Sequence, residues 1–592
     1  MRAGRSLDAQ VCCKQALATN SNHAGALHLM GLLSLQAGSY EQAAEWIAGA
    51  VARDPKPEYL LSYAIALRHQ GRRQQGLDAL DAAIRIKPDD ADLWQGRGEL
   101  LVELARPADA LQSFQQVLKL KPQHWDAANQ CAMLLHKLGR LEEALAHLDL
   151  CDGLRPNHVA TLNLRLACLH GLRRFGEALA DARRVQGLDR ANAHACNNVG
   201  SLLQTLGRAE EALPWFDQAI ALRENFTEAL HNKAVTLTQL QRLPDAFVIY
   251  QHLKAANPSD ALAELSLAHL QMLTGNFEAG WAGREARWRV PSHSTAYPKL
   301  AQPIWLGRES LAGKTLLAAA DEGLGDTIQF VRYVPILAER GARVVLVVQD
   351  SLHGLMSGLP GVAQCLPISA TNTSPLPAFD LHCPLMSLPL AFETRLDSIP
   401  APASYLPRPA QARVQAWEDR LGRHDRLRVG LVWSGNPRHR NDHNRSLPLR
   451  ALTSLLDVNA TFVSLQKDPR PADKVVLLER AAIVDPTVQL IDFAETAALI
   501  ACLDLVIAVD TSVAHLSAAL GRPTWILLPY TPDYRWLLDR DDSPWYPAAR
   551  LFRQTASRDY VSVLDRVRAE LLAQVSMFEA DRDQGAGSRA LA

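Results

Sequence analysis

PQHWDAANQCAMLLHKLGRLEEALAHLDLCDGLRP, residues 122–156, decides the reading of the first half of the chain. A proline stands at each end, Gly139 marks a tight turn between two helical stretches, and the small Ala144 follows five residues later. The same marks recur in phase. Prolines stand at Pro55, Pro88, Pro122, Pro156 and Pro258, at steps of 33, 34, 34 and 102, the last being three times 34. Turn glycines fall at Gly38, Gly71, Gly139, Gly207 and Gly275, and small residues at Ala43, Gly76, Ala144, Ala212 and Gly280, with Ala110, Ala178 and Ala246 keeping the phase where the turn is degenerate. Glycine takes a turn geometry that a Cβ resists, the small residue lets two antiparallel helices approach, and proline closes the unit. One such unit cannot bury its own apolar face, so neighbours stack.

A 34-residue period with these markers resembles the tetratricopeptide family over roughly residues 7–290. The resemblance implies an all-α solenoid, assigned to residues 1–290, whose concave surface meets a protein partner. Positions 34 apart carry Gln95, Asn129, Asn163, Asn197 and His231 on the first helix of a repeat, and the next position adds Asn198 and Asn232. A row of amides can hydrogen-bond the backbone of an extended peptide whatever its side chains. Asn129, Asn163, Asn197, Asn198 and Asn232 therefore form a candidate peptide-binding groove, which resembles the asparagine ladder of protein O-GlcNAc transferases. Amides that satisfy local backbone groups or face solvent would give the same pattern.

At 592 residues the chain exceeds one core, and two to four domains are expected. A composition of 48% hydrophobic and 21% charged residues with net charge -1 gives no basic excess for nucleic acid. The opening MRAGRSLDAQVCCKQ lacks the apolar core of a signal peptide, and no stretch approaches the roughly 20 apolar residues of a membrane span. Nine scattered cysteines, none in a CxxC pair, are expected as free buried thiols in a reducing compartment, with the cytoplasm as default.

After WRVP at 288–291 the helical period stops. Short apolar runs at 314–320 (KTLLAAA), 343–349 (RVVLVVQ), 428–434 (RVGLVWS), 460–466 (ATFVSLQ), 503–510 (LDLVIAVD) and 523–529 (PTWILLP) predict buried parallel strands, with helices at 327–340, 495–501 and 513–520 between them. Alternating strands and helices predict doubly wound α/β sheets. The proline-rich stretch 398–409 (SIPAPASYLPRP) is expected as a linker, giving Rossmann-like lobes at 291–409 and 410–578. The polar end from 579 to 592 is expected as a disordered tail.

Ligands in such sheets sit outside the carboxyl ends of the strands, where three segments stand out. In DEGLGDTIQFVR (321–332) the glycines permit a tight strand-to-helix turn, and Asp326 either caps the helix or accepts a proton from a hydroxyl nucleophile. In GLVWSGNPRHRNDHNRSLPL (430–449), Ser434 and Gly435 let a ligand approach while Arg438, His439, Arg440, His443 and Arg445 concentrate charge suited to phosphate oxygens. A solvated basic loop is the plainer reading. In DTSVAH (510–515) a strand ends and a helix begins; Thr511 and Ser512 are placed to cap it, its free N–H groups to meet an anion, and His515 to add a donor.

Together the three segments resemble the heptosyltransferase-like glycosyltransferases over roughly residues 300–575. Gly325-Asp326 matches that family's Gly-Asp pair, Asp510, Thr511 and His515 its Asp-(Ser/Thr)-x-x-x-His motif with LSAALGRP (516–523) after it, and Arg445 in NRSLP its basic position, where the usual lysine is missing. The resemblance implies a GT-B-type, two-lobed, inverting transferase that moves a sugar from a nucleotide-diphosphate donor to a hydroxyl of a protein or saccharide. Asp326 would be the base, with Arg445 and Arg440 facing the departing diphosphate. Gly325, Ser434, Gly435, Asn436, Gln466, Lys467, Asp510, Thr511, Ser512 and His515 would line the donor site. No metal and no cofactor are implied, and no tight carboxylate cluster suggests one. Repeats ahead of such a region resemble the layout of protein O-GlcNAc transferases. Two other readings stand beside this one: a repeat scaffold with an inactive transferase fold, and a different two-lobed enzyme such as a nucleotide-sugar epimerase.

Overall fold

The computed structural model of the chain describes residues 3–291, 297–298, 300–371, 373–439, 441–479 and 483–590. The chain divides into two compact units, Met1–Ala229 and Leu230–Ala592.

The first unit is a solenoid of paired helices. In the segment quoted above, helices Trp125–Lys137 and Leu141–Leu154 pack through Ala127, Ala128, Cys131 and Leu135 against Ala144 and Leu148, all fully buried. The first helix begins at His124, whose Nδ1 accepts from the backbone N–H of Ala127 at 3.1 Å. His23, His158, Asn192 and Asp90 occupy equivalent starts and accept in the same manner, which satisfies helix-end N–H groups otherwise left orphaned. Gly38, Gly71, Gly139 and Gly207 all have φ between 74° and 78°. Ala105 and Arg173 take the same left-handed turn at 55° and 59°. Packing of the paired helices therefore sets the turn, and it overrides a preference of about 1 kcal/mol against a Cβ there. The small residues of the pattern have a steric cause too: Ala43, Ala110, Ala144, Ala178 and Ala212 are at 0% exposure.

In the second unit the repeat pattern continues through helices Leu243–Ala256, Ala261–Leu273 and Phe277–Arg284 and the 3-10 turn Glu285–Arg289. Among the described residues ten strands follow: β1 (Thr315–Ala319), β2 (Arg343–Val348), β3 (Val362–Pro367), β4 (Leu381–Pro384), β5 (Arg428–Val432), β6 (Thr461–Ser464), β7 (Ile483–Val484), β8 (Leu505–Val509), β9 (Thr524–Leu528) and β10 (Ala549–Arg553). They build a four-stranded sheet of order β3-β2-β1-β4 and a six-stranded sheet of order β10-β9-β8-β5-β6-β7, with every ladder parallel. Both are doubly wound. Strand order reverses beside the first strand of each sheet, between β1 and β4 and between β5 and β8. All six sequence-expected strands form. The short or less apolar β3, β4, β7 and β10 are additional.

Residues 398–410 form an extended linker. Arg332 ties it in, donating to Pro400 O at 3.1 Å and Tyr405 Oη at 3.0 Å, and also to Trp545 O at 2.7 Å in the second lobe. Among the described residues all cysteines are free, Cys12 being exposed. No helix there is long and apolar enough to cross a membrane.

The helix Val561–Ala590 continues through the segment expected as a disordered tail from 579; its apolar side, Val563, Val567, Leu571 and Val575, packs on the six-stranded sheet's core, and no proline stops it. The compact second unit begins at Leu230, inside the repeat array, whose helices continue to Arg289. The last repeat keeps the helical period, yet its Met272, Leu273, Phe277 and Trp281 are in one buried cluster with Phe330 of the first lobe and Trp536 and Trp545 of the second. Trp281 meets Phe330, Tyr534 and Trp545 edge-on at 5.9, 5.7 and 6.2 Å.

The junction is pinned by charge. Arg287, 1% exposed, donates to Asp321 Oδ2 at 3.1 Å and Ser387 Oγ at 2.7 Å. The other Asp321 oxygen accepts from Met386 N at 3.1 Å. Arg287→Met strands the Asp321 carboxylate and is expected to destabilise the second unit by about 3–5 kcal/mol. The double variant with Asp321→Asn should recover part of that loss, as read by denaturant unfolding followed through tryptophan fluorescence.

Candidate functional site

The site lies within the second unit, where loops at the carboxyl ends of the two sheets meet. The loop after β1 turns at Gly323 into the helix Leu324–Phe330. Asp326 Oδ2 accepts from Gly323 N at 3.0 Å, so the capping role expected of this residue is real. Its other oxygen is not idle: Oδ1 accepts from Arg535 Nη2 at 2.6 Å. Beside it, a Cβ on Gly325 would come within 2.9 Å of His515 Cδ2, so glycine permits the two lobes to touch.

Across this contact, Asp510 follows the end of β8 and the helix Ser512–Ala519 begins. Thr511 occupies the cap position but makes no side-chain cap bond; its Oγ1 is buried without a hydrogen-bond partner. Ser512 is half-buried at the helix start. His515, 2% exposed, exchanges a hydrogen bond with Tyr546 Oη through Nδ1 at 2.8 Å and stacks on Trp536 at 5.3 Å. Burial, then Arg535, Arg332 and Arg445, push its imidazole well below the usual histidine range, so it is neutral. Asp510 is raised by burial and by Asp533, against the pull of Arg535 and Arg445.

The basic loop after β5 divides into parts. Arg445 Nη1 donates to Asp510 O at 2.9 Å, bridging β5 and β8 across the point where strand order reverses. Gly435 makes room for it, since a Cβ there would stand 2.7 Å from Arg445 Nη2. Ser446 Oγ accepts from Gly435 N at 2.9 Å and donates to Asp442 at 2.6 Å, while Arg470 donates to the same carboxylate at 2.6 Å. Ser434 Oγ and Arg445 Nε are buried without a hydrogen-bond partner. His439 lies within electrostatic reach of both Arg445 and Asp326; partial desolvation, then Arg445, hold it below its ordinary value.

Other sequence-expected residues lie apart or are otherwise engaged. Gln466 Oε1 accepts from Trp433 N at 3.2 Å and Ser434 N at 2.9 Å, which makes it a brace for the strand end. Lys467 is exposed, with Nζ 3.5 Å from Ile491 O. Asn436 is exposed and closes a local turn onto Arg438 N at 2.9 Å. Arg440 lies outside the described residues. Asp533, Arg535 and Tyr546 escaped the sequence reading; the one available signal was position, since Arg535 follows β9 at the carboxyl edge.

In the repeats, Asn129, Asn163 and Asn197 are each the fifth residue of their helices, Trp125–Lys137, Val159–Gly171 and Ala193–Thr205. Asn163 is exposed, Asn129 and Asn198 are half-buried, and Asn197 is buried. Asn129 Nδ2 reaches Met133 Sδ at 3.7 Å, and Gln95 donates to Glu99 at 3.0 Å. Asn232, in the second unit, is half-buried. The row thus varies in exposure from one repeat to the next.

This combination defines a tetratricopeptide solenoid followed by a two-lobed parallel-sheet region consistent with the GT-B type. Comparison with known proteins agrees. Tetratricopeptide repeat families match at 1–56, 28–91, 101–162 and 192–225, and Glycosyltransferase family 9 (heptosyltransferase) matches at 484–559, the stretch that holds Asp510, Thr511, His515 and Arg535. Protein FlbA of Caulobacter vibrioides (strain ATCC 19089 / CIP 103742 / CB 15) is 25% identical over 389 residues, 60% of this chain and 63% of that protein, so the match spans less than two thirds of its length. Among solved structures, YrrB, described as a TPR protein with an unusual peptide-binding site, is 24% identical over 32% of this chain and 98% of its own, with TM-score 0.30. MamA is 14% identical over 28% and 90%, with TM-score 0.27.

Because His515 is neutral when folded and protonates readily when unfolded, the unfolded chain binds the extra proton as pH falls below about 6.5. Its contribution to stability is complete above that value and declines below it, by at most about 1.4 kcal/mol per pH unit. Melting temperatures measured between pH 7.5 and 5.5 should fall less steeply in His515→Gln than in the unaltered chain.

Proposed function

We propose that the chain is an inverting glycosyltransferase that moves a sugar from a nucleotide-diphosphate donor to a hydroxyl of a protein or saccharide, with the repeats recruiting the acceptor or a partner. One observation carries the reading: Thr511 Oγ1, Ser434 Oγ and Arg445 Nε are buried and unpartnered where strand order reverses between β5 and β8. Each such group costs about 1–3 kcal/mol, an expense offset when a ligand supplies the missing partners. A doubly wound sheet binds nucleotides at this place, and the start of the helix Ser512–Ala519 adds free N–H groups suited to a diphosphate.

Within this reading Asp326 removes the proton of the acceptor hydroxyl. Arg445 and the helix start stabilise charge building on the departing diphosphate. These groups supply positive potential without a metal ion. Metal independence is accordingly part of the proposal. Neutral His515, packed on Gly325 and bonded to Tyr546, supports the contact between lobes and is not a cation for the phosphates.

The test is calorimetry of the full chain against UDP, ADP, GDP and their sugars, followed by transfer assays with the donor that binds. One nucleotide should bind saturably, and Arg445→Ala should weaken it about 10–100-fold, the loss of a charge-assisted hydrogen bond. Asp326→Asn should lower kcat by about 100–10,000-fold while changing nucleotide Kd less than about twofold. Transfer should survive a chelator. If no nucleotide binds, the enzyme reading fails and a repeat scaffold with an inactive transferase fold replaces it.

A further inference from the structure

Arg535 sits between the last repeat and Asp326. Its residue is 8% exposed, and Nη2 donates to Asp326 Oδ1 at 2.6 Å while Nε lies 3.5 Å from Asp533 Oδ1. Its immediate neighbour Tyr534 touches both sides: its ring centre lies 5.0 Å from the Arg535 guanidinium, its Oη accepts from Arg535 Nη2 at 3.4 Å, and its ring packs against the repeat. The Tyr534 ring lies nearly parallel to His269 (6.3 Å, 13°), meets Trp281 edge-on at 5.7 Å, and carries the Arg284 guanidinium 5.5 Å from its centre. Arg284, 5% exposed, in turn donates to His269 Nε2 at 2.7 Å and Glu322 Oε2 at 2.6 Å, and Glu322 is four residues before Asp326. The one 3-10 turn, Tyr534–Trp536, therefore has its first residue gripped by the repeat and its second gripping the carboxylate.

We propose that the last repeat is part of the framework of the reaction centre: through Tyr534 it orients Arg535, a positioning residue whose guanidinium fixes the Asp326 carboxylate. The inference rests on the reading of Asp326 as the base. Geometry favours a positioning role. A carboxylate on a seven-residue helix has one oxygen anchored by the Gly323 N–H, and without a second anchor its plane is free to turn about that bond. Arg535 supplies the second anchor from the opposite lobe, and a guanidinium restricts orientation more than a point charge does. Its own freedom is limited because Tyr534 is held among three side chains of helices Ala261–Leu273 and Phe277–Arg284. The repeat that follows an acceptor-recruiting array thus has a direct mechanical connection to the group that reacts with the acceptor.

The experiment compares kcat and donor KM for the unaltered full chain, Asp326→Asn, Arg535→Gln, Arg535→Lys, His269→Leu and the double variant His269→Leu/Arg535→Gln, with melting temperatures and nucleotide Kd as controls for folding. Arg535→Gln should lower kcat about 10–100-fold with donor KM changed less than about threefold, since a misplaced base affects the chemical step. Arg535→Lys should restore part of the lost rate. His269→Leu, on the repeat and only half-buried, should lower kcat about three- to tenfold. Because both act through one carboxylate, the double variant should fall little below Arg535→Gln alone. An unchanged kcat in Arg535→Gln, or single-variant losses that multiply, overturns the proposal while an inactive Asp326→Asn leaves the base reading intact. An active Asp326→Asn overturns both.

Discussion

The ion pair between Arg287 and Asp321 anchors the second unit, although it adds little to stability. Both side chains are removed from water, at 1% and 0% exposure. Desolvating two such ions costs several kcal/mol each, comparable with what they regain from each other in a low-dielectric interior. The Asp321 carboxyl reflects the balance: burial raises it to about 6, and the Arg287 guanidinium only partly opposes this. Specificity of position is what remains. The pair, with Ser387 and the Met386 N–H, fixes the end of β1 against the last repeat, and the loop that carries Gly323, Gly325 and Asp326 hangs from that point.

From there the two lobes meet in a narrow set of contacts. Gly325 lets His515 approach, Arg332 spans the first lobe, linker and second lobe, and Arg535 reaches back to Asp326. Arg445 performs the equivalent bridging inside the second lobe, between the loop after β5 and the end of β8. Positive side chains thus cross each seam, and carboxylates or carbonyls receive them. A centre assembled in this way keeps its acids and bases in place through groups on elements distant in the chain. It also leaves Thr511, Ser434 and part of Arg445 with bonding capacity unspent.

The repeat pattern was legible because each of its markers answers a local demand. A left-handed turn, a helix end and a close approach each select a residue type, and stacking repeats the demand every 34 residues. The buried strands were legible for a similar reason, since β1, β2, β5, β6, β8 and β9 are continuous apolar runs. The strands missed are those too short, too exposed or too interrupted by polar residues to read as continuous apolar runs. β3 is largely uncovered, β7 has two residues at a sheet edge, β4 carries His382 among four residues, and the edge strand β10 carries Arg550 and Arg553. At the site, Asp326, Asp510, Arg445 and His515 could be named from their places at strand ends. Arg535 could not, because its partner is 209 residues away and nothing in the local sequence of either announces the other.

The sequence by itself determined the class of each half: a helical solenoid, then doubly wound parallel sheets with charged and polar residues at their carboxyl edges. Periodicity and strand-end position are local properties, and they survive in one dimension. Tertiary structure decided the rest. It assigned the last repeat to the compact second unit, made His515 a neutral buried contact, turned Gln466 into a brace for the backbone, and set Arg535 on Asp326. Each of those outcomes depends on burial or on pairing between distant segments. Both are properties of the packed chain, because desolvation and Coulomb attraction act through space without regard to sequence order.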